Sequence, residues 1–297
     1  MGNLSFTVGE SNEPRDFGEE ASRLDLLAEP IATEDAVETD AVEAVIKAVI
    51  EPEIEIDLRE HLPSEFMSTL HGRLAVVTGA NDGVGSAVAL ALVDAGARVC
   101  VLGRDADLLR SIVETASTGT SVVSLQCDLG STAEVRSAAD FVNRFDRSVD
   151  VLVHCANVRV PGNIGHSEVA DLDEQYLVNL RGPFLLTQAL LEGIGRGPGH
   201  VVFVDPSDGD SFTSVDTQYA MSRSGIAALA QGLRDETAEL GVRVTTVHVG
   251  GRLDDGRNNS LSPEDVADVV LGAIEMPARI EISDLHVRAR VSSSLVA

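Results

Sequence analysis

From residue 72 onward, the sequence predicts an α/β fold, a doubly wound parallel sheet of about seven strands with helices on both faces. Short apolar runs rich in valine alternate there with longer stretches of helical periodicity. Continuous apolar runs are typical of parallel strands, which are buried on both sides. A glycine-rich turn directly follows the first run. Ligands of such sheets bind at the carboxyl ends of the strands, so this turn marks the edge where we expect a binding site.

Each predicted strand is a short apolar run that is separated from the next by a helical stretch. In chain order the runs are RLAVVT (73–78), ARVCVL (97–102), TSVVSLQ (120–126), DVLVHC (150–155), HVVFV (200–204), VRVTTVHV (242–249) and RIEISDLHV (279–287). The last long helix is predicted to begin in SPEDVADVV, with Ser262 as its N-cap and Pro263 at the first helical position.

Residues 1–71 differ in composition and are predicted to form an acidic N-terminal extension to the domain at 72–297. Acidic residues far outnumber basic ones there, and the opening stretch lacks periodicity, so we expect partial disorder. An amphipathic helix is predicted near 36–50, ended by Pro52. Two interpretations stay open: a solvated tail whose helix docks on its own domain, or an arm that grips a protein partner or a second subunit.

The composition argues against several classes of partner. The formal net charge is -26, so we expect neither nucleic acid nor an anionic membrane surface as a partner. No apolar run approaches the roughly 20 residues of a membrane-spanning helix. The N-terminus has no basic segment followed by a long apolar one, so we expect a cytoplasmic protein. The cysteines Cys100, Cys127 and Cys155 lack metal-ligand spacing, and no metal is expected.

The segment TGANDGVGSAVALAL runs from the end of the first predicted strand into the first helix. Glycines at the turn and at the mouth of the helix allow a pyrophosphate to approach the backbone, whose free N–H groups favour a negative charge. A strand before and a helix after make this pattern indicative of a nucleotide site. The candidate cofactor-binding residues of this segment are Thr78, Gly79, Asn81, Asp82, Gly83, Val84 and Gly85.

The spacing of Thr78, Gly79, Gly83 and Gly85 resembles that of the short-chain dehydrogenase/reductase family, which has a Rossmann fold. The resemblance extends from residue 72 to about residue 290. Further motifs follow in that family's order: Asp128 in QCDLGS, LVHCAN (152–157) in place of NNAG, Asn179 in VNLRGPF, Tyr219 in YAMSR, and the ending RIEISDLHVRA.

The resemblance implies an NAD(P)-dependent oxidoreductase that transfers a hydride between the cofactor and a small carbonyl or alcohol substrate. Tyr219 matches the family's general acid, and Asn179 its water-holding asparagine. An ungapped match places Pro206 in the position of the catalytic serine, with Ser207 one residue beyond. Ser207 is either the carbonyl donor or part of an ordinary turn. The other implied cofactor contacts are Asp128, Leu129, Ala156, Asn157, Tyr219, Arg223 and Gly250.

Arg223 takes the position of the family's lysine, one helical turn after Tyr219. Its charge favours tyrosinate, as the lysine's does. A guanidinium, however, does not lose its proton in proteins and cannot relay one. Lys47 is the single lysine among 22 Lys and Arg residues, so a general drift towards arginine is an alternative explanation for the change.

The cofactor prediction depends on the end of the second strand. NAD-binding relatives place an acid there, whereas this chain has Gly103 followed by Arg104. A guanidinium matches phosphate geometry, so NADP(H) is expected over NAD(H). Asp82 argues against this, because some NADP-binding relatives have a cation in the glycine loop.

Three functions stay open from the sequence. The first is an NADP(H)-dependent reductase or dehydrogenase, expected to form a homo-oligomer, either a dimer or a tetramer. The second is a catalytically degenerate nucleotide-binding relative that acts as a partner or scaffold protein. The third is a lyase resembling halohydrin dehalogenases, which use Ser, Tyr and Arg at this spacing. Those enzymes fill the glycine loop with an aromatic residue, whereas Gly83 and Gly85 keep it open here.

Overall fold

The structure, a computed structural model, describes residues 70–81, 83–116, 122–206, 216–251, 253 and 260–289. Most of the acidic extension therefore lies outside the described residues, including the helix predicted near 36–50. Two candidate site residues, Asp82 and Ser207, also lie outside them.

A seven-stranded sheet forms the centre of the described domain, and every pair of neighbouring strands is parallel. The strands are β1 Leu74–Thr78, β2 Arg98–Gly103, β3 Val122–Gln126, β4 Val151–His154, β5 His200–Asp205, β6 Arg243–Gly250 and β7 Asp284–Arg288. Their order is β3-β2-β1-β4-β5-β6-β7. The winding thus reverses between β1 and β4, where such sheets bind ligands. The predicted fold class is confirmed.

Helices connect the strands and cover both faces of the sheet. They are α1 Gly83–Asp94, α2 Ala106–Thr115, α3 Thr132–Phe145, α4 Val169–Tyr176, α5 Gly182–Ile194, α6 Thr217–Thr237 and α7 Pro263–Glu275, with a π-helical turn at Leu177–Arg181 and a 3-10 turn at Ala238–Leu240. Helix α7 begins as predicted, because Ser262 and Asp265 form a reciprocal capping box and Pro263 follows the cap. No helix in the described ranges combines the length and the apolar character needed to cross a membrane.

Alternation along the strands divides the core into two layers. Ala75 and Val77 of β1 pack in the layer covered by α1, α2 and α7. Leu74 and Val76 pack in the layer covered by α3, α5 and α6. Strand β1 is therefore buried on both sides, as the sequence pattern predicts, whereas the edge strands β3 and β7 are partly exposed.

The first described residues belong to this core. Leu70 is buried among the residues of the α1 layer. Gly72 N donates to Gly96 O at 2.9 Å, and Arg98 N donates to Arg73 O at 2.8 Å. The chain is thus tied to the sheet just before β1 begins.

Candidate active site

A cleft of about 930 Å³ opens at the carboxyl edge of the sheet, around the reversal between β1 and β4. Its wall combines the glycine loop, the ends of five other strands and the start of α2. The lining residues are Gly79, Asn81, Gly83, Val84, Gly85, Leu102, Gly103, Arg104, Asp105, Ala106, Leu108, Gln126, Cys127, Asp128, Leu129, Cys155, Ala156, Asn157, Val158, Val178, Val204, Pro206, Val249 and Leu253.

The glycine loop is packed so tightly that side chains do not fit at two of its positions. A Cβ at Gly79 would lie 2.5 Å from Ala156 Cα, and one at Gly85 would lie 2.1 Å from Gly79 O. Gly79 also has a φ of +68°, a conformation that L side chains rarely adopt. The hydroxyl oxygen of buried Thr78 accepts from Ala156 N at 3.4 Å. The loop is therefore a rigid backbone surface.

Helix α1 begins at this surface. Its first residue, Gly83, would have open space around an added Cβ, so the glycine leaves room for a ligand there. The first turn of α1 contains no acidic side chain. Backbone N–H groups at a helix N-terminus favour an anion. This part of the cleft consequently fits a pyrophosphate.

The end of β2 forms the part of the cleft rim that is expected to distinguish NADP(H) from NAD(H). Asn81 accepts from Arg104 N through Oδ1 at 3.0 Å and donates through Nδ2 to Asp105 O at 3.3 Å. The Arg104 side chain is exposed at this rim. Gln126 donates to Arg104 O at 3.0 Å. The carboxamide of Asn81 thereby holds the turn that presents Arg104.

Asp128 lies after β3, the strand that pairs with β2. Its Oδ1 accepts from Gly130 N at 2.8 Å, while its own N donates to Glu134 Oε2 at 2.9 Å. These bonds orient the turn, and the neighbouring Leu129 is buried. Both residues line the cleft.

Tyr219 lies in the first turns of α6 and is 7% exposed. Its hydroxyl donates to Asn157 Oδ1 at 3.1 Å. The same oxygen accepts from Arg223 Nη1 at 3.3 Å. Because Asn157 lines the cleft, the structure brings Tyr219, Arg223 and the end of β4 together at one point.

Asp205, the last residue of β5, was not predicted from the sequence as a site residue. Its Oδ1 accepts from Arg223 Nε at 2.7 Å, and the two side chains are 5% and 4% exposed. Arg223 Nη2 donates to Val204 O at 3.4 Å. The guanidinium is thus bonded on three sides. An acidic residue at the end of a buried strand, in FVDPS, is the signal that would have identified Asp205.

His248 of β6, likewise missed, lies behind Asp205. Its Nδ1 is 3.3 Å from Asp205 Oδ2, an ion-pair distance without the alignment of a hydrogen bond. Its Nε2 is 3.1 Å from Asp284 Oδ1 on β7, and its ring stacks on His286 with centroids 4.6 Å apart. Both ring nitrogens face carboxylates, which favours the doubly protonated imidazolium.

The environment of Tyr219 favours the protonated phenol. Burial raises the pKa of Tyr219 above its ordinary value, and the charge of Asp205 adds to this effect. Arg223, the hydrogen bond with Asn157 and Arg159 act in the opposite direction and are outweighed. Arg159 Cζ lies 5.2 Å from the centre of the Tyr219 ring.

Asn179 lies in the π-helical turn that precedes α5. Its amide donates to Val158 O and accepts from Val158 N, both at 2.7 Å. It also donates to Ser222 Oγ at 3.2 Å. These bonds clamp the segment after β4 onto α6. The Asn179 side chain therefore holds the backbone of Val158, the residue after the Asn157 that bonds Tyr219.

The remaining candidates fall into three groups. Val84, Ala156 and Asn157 line the cleft. Gly250 ends β6, and it is the preceding Val249 that lines the cleft. Ser207 and Asp82 lie outside the described ranges, although Pro206, before Ser207, lines the cleft.

The described residues fit a dinucleotide. A backbone cradle that excludes side chains, a helix N-terminus and an exposed guanidinium meet on one cleft. The cradle and the helix N-terminus would hold the pyrophosphate, and the guanidinium would hold the adenosine phosphate. Among the described residues, no group of three or more His, Cys, Asp and Glu is arranged to hold a metal ion.

Comparisons with known proteins agree with this geometry. Residues 73–263 match the family described as short chain dehydrogenase. An uncharacterized oxidoreductase of Staphylococcus saprophyticus is 28% identical over 236 residues, which cover 75% of this chain and 99% of the relative.

Two solved structures extend the likeness. A metagenomic short-chain oxidoreductase in complex with NADP is 30% identical, has a TM-score of 0.67, and matches over 75% of this chain and 99% of that one. An alcohol dehydrogenase from the archaeon Thermococcus sibiricus, complexed with 5-hydroxy-NADP, shares the fold with a TM-score of 0.69 at 22% identity, over 74% of this chain and 97% of that one. Since the family match covers more than half of its length, the chain belongs to the short-chain dehydrogenase family of oxidoreductases.

Proposed function

We propose that the protein is an NADP(H)-dependent oxidoreductase that interconverts a small carbonyl compound and its alcohol. One observation carries the proposal: Asn157 lines the cofactor cleft, and its Oδ1 accepts a hydrogen bond from the Tyr219 hydroxyl at 3.1 Å. A proton donor thus lies at the edge of a cleft that fits a dinucleotide. Carbonyl reduction requires a proton donor for the substrate oxygen beside a cofactor that donates hydride to the carbonyl carbon.

The proposed roles follow from these positions. The backbone around Gly79, Gly83 and Gly85 binds the pyrophosphate, and Arg104 binds the adenosine phosphate. When bound, the nicotinamide supplies or accepts the hydride. Tyr219, held protonated by burial, donates its proton to the substrate oxygen.

The surrounding polar residues support that donation. Arg223 stabilises the tyrosinate that remains after proton transfer. Asn157 orients the Tyr219 hydroxyl and the guanidinium together through its Oδ1. Asn179 holds the segment that carries Asn157. Ser207 is assigned the carbonyl contact from its position next to Pro206.

Preference for NADP(H) over NAD(H) is supported by the rim at β2. The strand ends in Gly103 and not in an acid, and Arg104 next to it is exposed. A carboxylate at Gly103 would repel the 2′-phosphate, whereas a guanidinium matches its geometry. The relative that is 30% identical was solved with NADP.

The proposal is tested by titrating the pure chain with NADPH and NADH and by following NADPH oxidation with a panel of ketones and 3-oxo acids. We expect slow but measurable turnover that Tyr219→Phe abolishes, with NADPH affinity nearly unchanged in that variant. Tyr176→Phe, at an exposed position on α4, is the matched control. Binding without turnover of any carbonyl would instead indicate a nucleotide-binding partner protein. Halide release from halohydrins would indicate the lyase.

The setting of this activity is part of the same proposal. We place the protein in the cytoplasm as a homo-oligomer, with the acidic extension as an arm for a protein partner. Because Leu70 is buried in the core, the informative truncation removes residues 1–69. It should leave a folded domain with a cooperative melt. Loss of that melt would show that the extension is part of the core.

A further inference from the structure

Tyr219 lies between two arginine–aspartate pairs. On one side, Arg223 donates through Nε to Asp205 at 2.7 Å. On the other, Arg159 lies over the phenol ring and donates through Nε to Asp216 at 2.8 Å. Neither cation near the phenol is therefore isolated. Each has a carboxylate in contact with it.

The pair formed by Arg223 and Asp205 is the more deeply buried, with side chains that are 4% and 5% exposed. Charges in such an environment are screened little by water or salt. A cation and an anion in contact act on a third group as a dipole, whose effect falls off faster with distance than that of a single charge. The influence of Arg223 on the phenol thus depends on its carboxylate partner.

Asp205 also determines which way the guanidinium faces. A guanidinium is planar, and its N–H groups point in fixed directions. With Nε bonded to Asp205, Nη1 faces Asn157 Oδ1 at 3.3 Å, the same oxygen that accepts the Tyr219 hydroxyl at 3.1 Å. The orientation of Arg223 at Tyr219 is consequently set from the end of β5.

We propose that Asp205 is a positioning residue for the proton donor: its carboxylate orients the Arg223 guanidinium and offsets its charge, so that the Tyr219 phenol lies beside a neutral ion pair and not beside a free cation. In this arrangement the guanidinium keeps a hydrogen-bonding role at the site while the phenol stays protonated.

The charged groups around the phenol come from several elements. Arg223 lies on the same helix, Arg159 follows β4, and Asp205 ends β5. Behind Asp205, His248 of β6 contacts its second carboxylate oxygen at 3.3 Å. Burial is the main reason why the pKa of Tyr219 is raised, with Asp205 contributing in the same direction.

The chain offers a direct spectroscopic test, because it contains two tyrosines and no tryptophan. In a Tyr176→Phe background, the absorbance of phenolate reports on Tyr219 alone. We expect Asp205→Asn to move the titration midpoint to lower pH, since the guanidinium charge is then no longer offset. Arg223→Gln should move it to higher pH, since Asp205 is then left without that cation. The titration is restricted to the pH range in which circular dichroism shows an intact fold.

Asp146→Asn is the matched control for loss of a carboxylate. Asp146 pairs with Arg98, the first residue of β2. This pair therefore lies at the amino ends of the strands, whereas Asp205 lies at the carboxyl end of β5. Asp146→Asn should leave the titration midpoint of Tyr219 unchanged from that of the Tyr176→Phe variant. An unchanged midpoint in folded Asp205→Asn would overturn the proposal.

Removal of one member of a buried ion pair is strongly destabilising, whereas removal of both is tolerated better. If Asp205→Asn does not fold, the double variant Asp205→Asn/Arg223→Gln is titrated in its place. Its midpoint should lie below that of Arg223→Gln alone. A double variant that titrates like Arg223→Gln would mean that Asp205 has no influence on the phenol.

The catalytic meaning of this inference rests on the proposed role of Tyr219 as proton donor. The titration itself needs neither cofactor nor substrate. Failure to find a carbonyl substrate would therefore count against the proposed function alone, and an unshifted midpoint would count against the role of Asp205 alone.

Discussion

The carboxamide of Asn81 occupies the space that a side chain on Gly103 would need. A Cβ at Gly103 would lie 2.0 Å from Asn81 Oδ1 and 2.8 Å from Asn81 Cγ. That carboxamide is held by its bonds to Arg104 N and Asp105 O. A side chain at the end of β2 would therefore displace the Asn81 carboxamide from its bonds to the turn.

This contact predicts that an NAD-type acid at Gly103 alone disturbs the turn that Asn81 holds. Gly103→Asp should weaken binding of both NADPH and NADH and lower the Tm, because Asn81 is displaced from the turn that it holds. Asn81→Ala combined with Gly103→Asp removes the clash, but not the loss of the Asn81 bonds, and should favour NADH. The affinities are measured by nicotinamide fluorescence. A single Gly103→Asp variant that gains NADH affinity without loss of Tm would contradict the steric argument.

Arg104 should account for most of the preference for NADPH. We expect NADPH to bind at least several-fold tighter than NADH, and Arg104→Ala to remove most of this difference. A charge-assisted phosphate pair contributes roughly 1.5–3 kcal/mol. Arg110→Ala is the control, since Arg110 is exposed on α2 and pairs with Asp107. Equal affinities for the two cofactors in the wild type would rule out the NADP assignment.

Arg223→Lys tests whether the site requires a guanidinium. Arg223 spans from Asp205 at 2.7 Å to Asn157 at 3.3 Å and also bonds Val204 O. A compact ammonium cannot reproduce this spread. We expect a lower kcat and a loss of roughly 1.5–3 kcal/mol in the free energy of unfolding.

The control for that substitution is Arg110→Lys, which should change stability by less than about 0.5 kcal/mol. If Arg223→Lys instead keeps its Tm and raises kcat, the lysine relay of the family fits this site. Arginine would then be a tolerated substitute at this position.

His248 predicts a pH dependence of stability. The contact with Asp205, followed by that with Asp284, raises the pKa of His248 against the opposing effect of burial. A raised folded pKa contributes stability that is fully present below the ordinary value of 6.5 and is lost as the pH rises through the folded value. The Tm of the wild type minus that of His248→Gln should therefore be larger at about pH 6 than at about pH 9.

His200 provides a control of opposite sign. Burial, with a further effect of Arg243, lowers the pKa of His200 to about 3. Its Nε2 bonds Thr245 Oγ1 at 2.8 Å, and no carboxylate faces it in the described contacts. The Tm of the wild type minus that of His200→Gln should stay constant above the ordinary histidine pKa of 6.5 and fall as the pH drops below it. Equal slopes for the two histidine variants would contradict the imidazolium assigned to His248.

The sequence by itself determined the architecture and the nucleotide half of the cleft, because these depend on short-range patterns. The short apolar runs correspond to all seven strands, of which the edge strands β3 and β7 are partly exposed. The last run begins too early, at 279, whereas β7 begins at Asp284. The chain first makes a turn there, in which Ile280 N donates to Pro277 O at 2.8 Å. Gly79 and Gly85 were identifiable because only glycine fits such a turn.

Only the tertiary structure decided what surrounds Tyr219. Asp205, His248 and Asp284 lie far apart in the chain, and parallel pairing of β5, β6 and β7 brings them side by side. A local pattern such as FVDPS can mark Asp205 as an acid at the end of a buried strand, but it does not identify the residues that contact it. The electrostatic effect of these charges on the Tyr219 pKa depends on strand register and burial, and both arise only when the sheet assembles. The sequence thus named Tyr219 as the candidate proton donor, and packing determined its electrostatic environment.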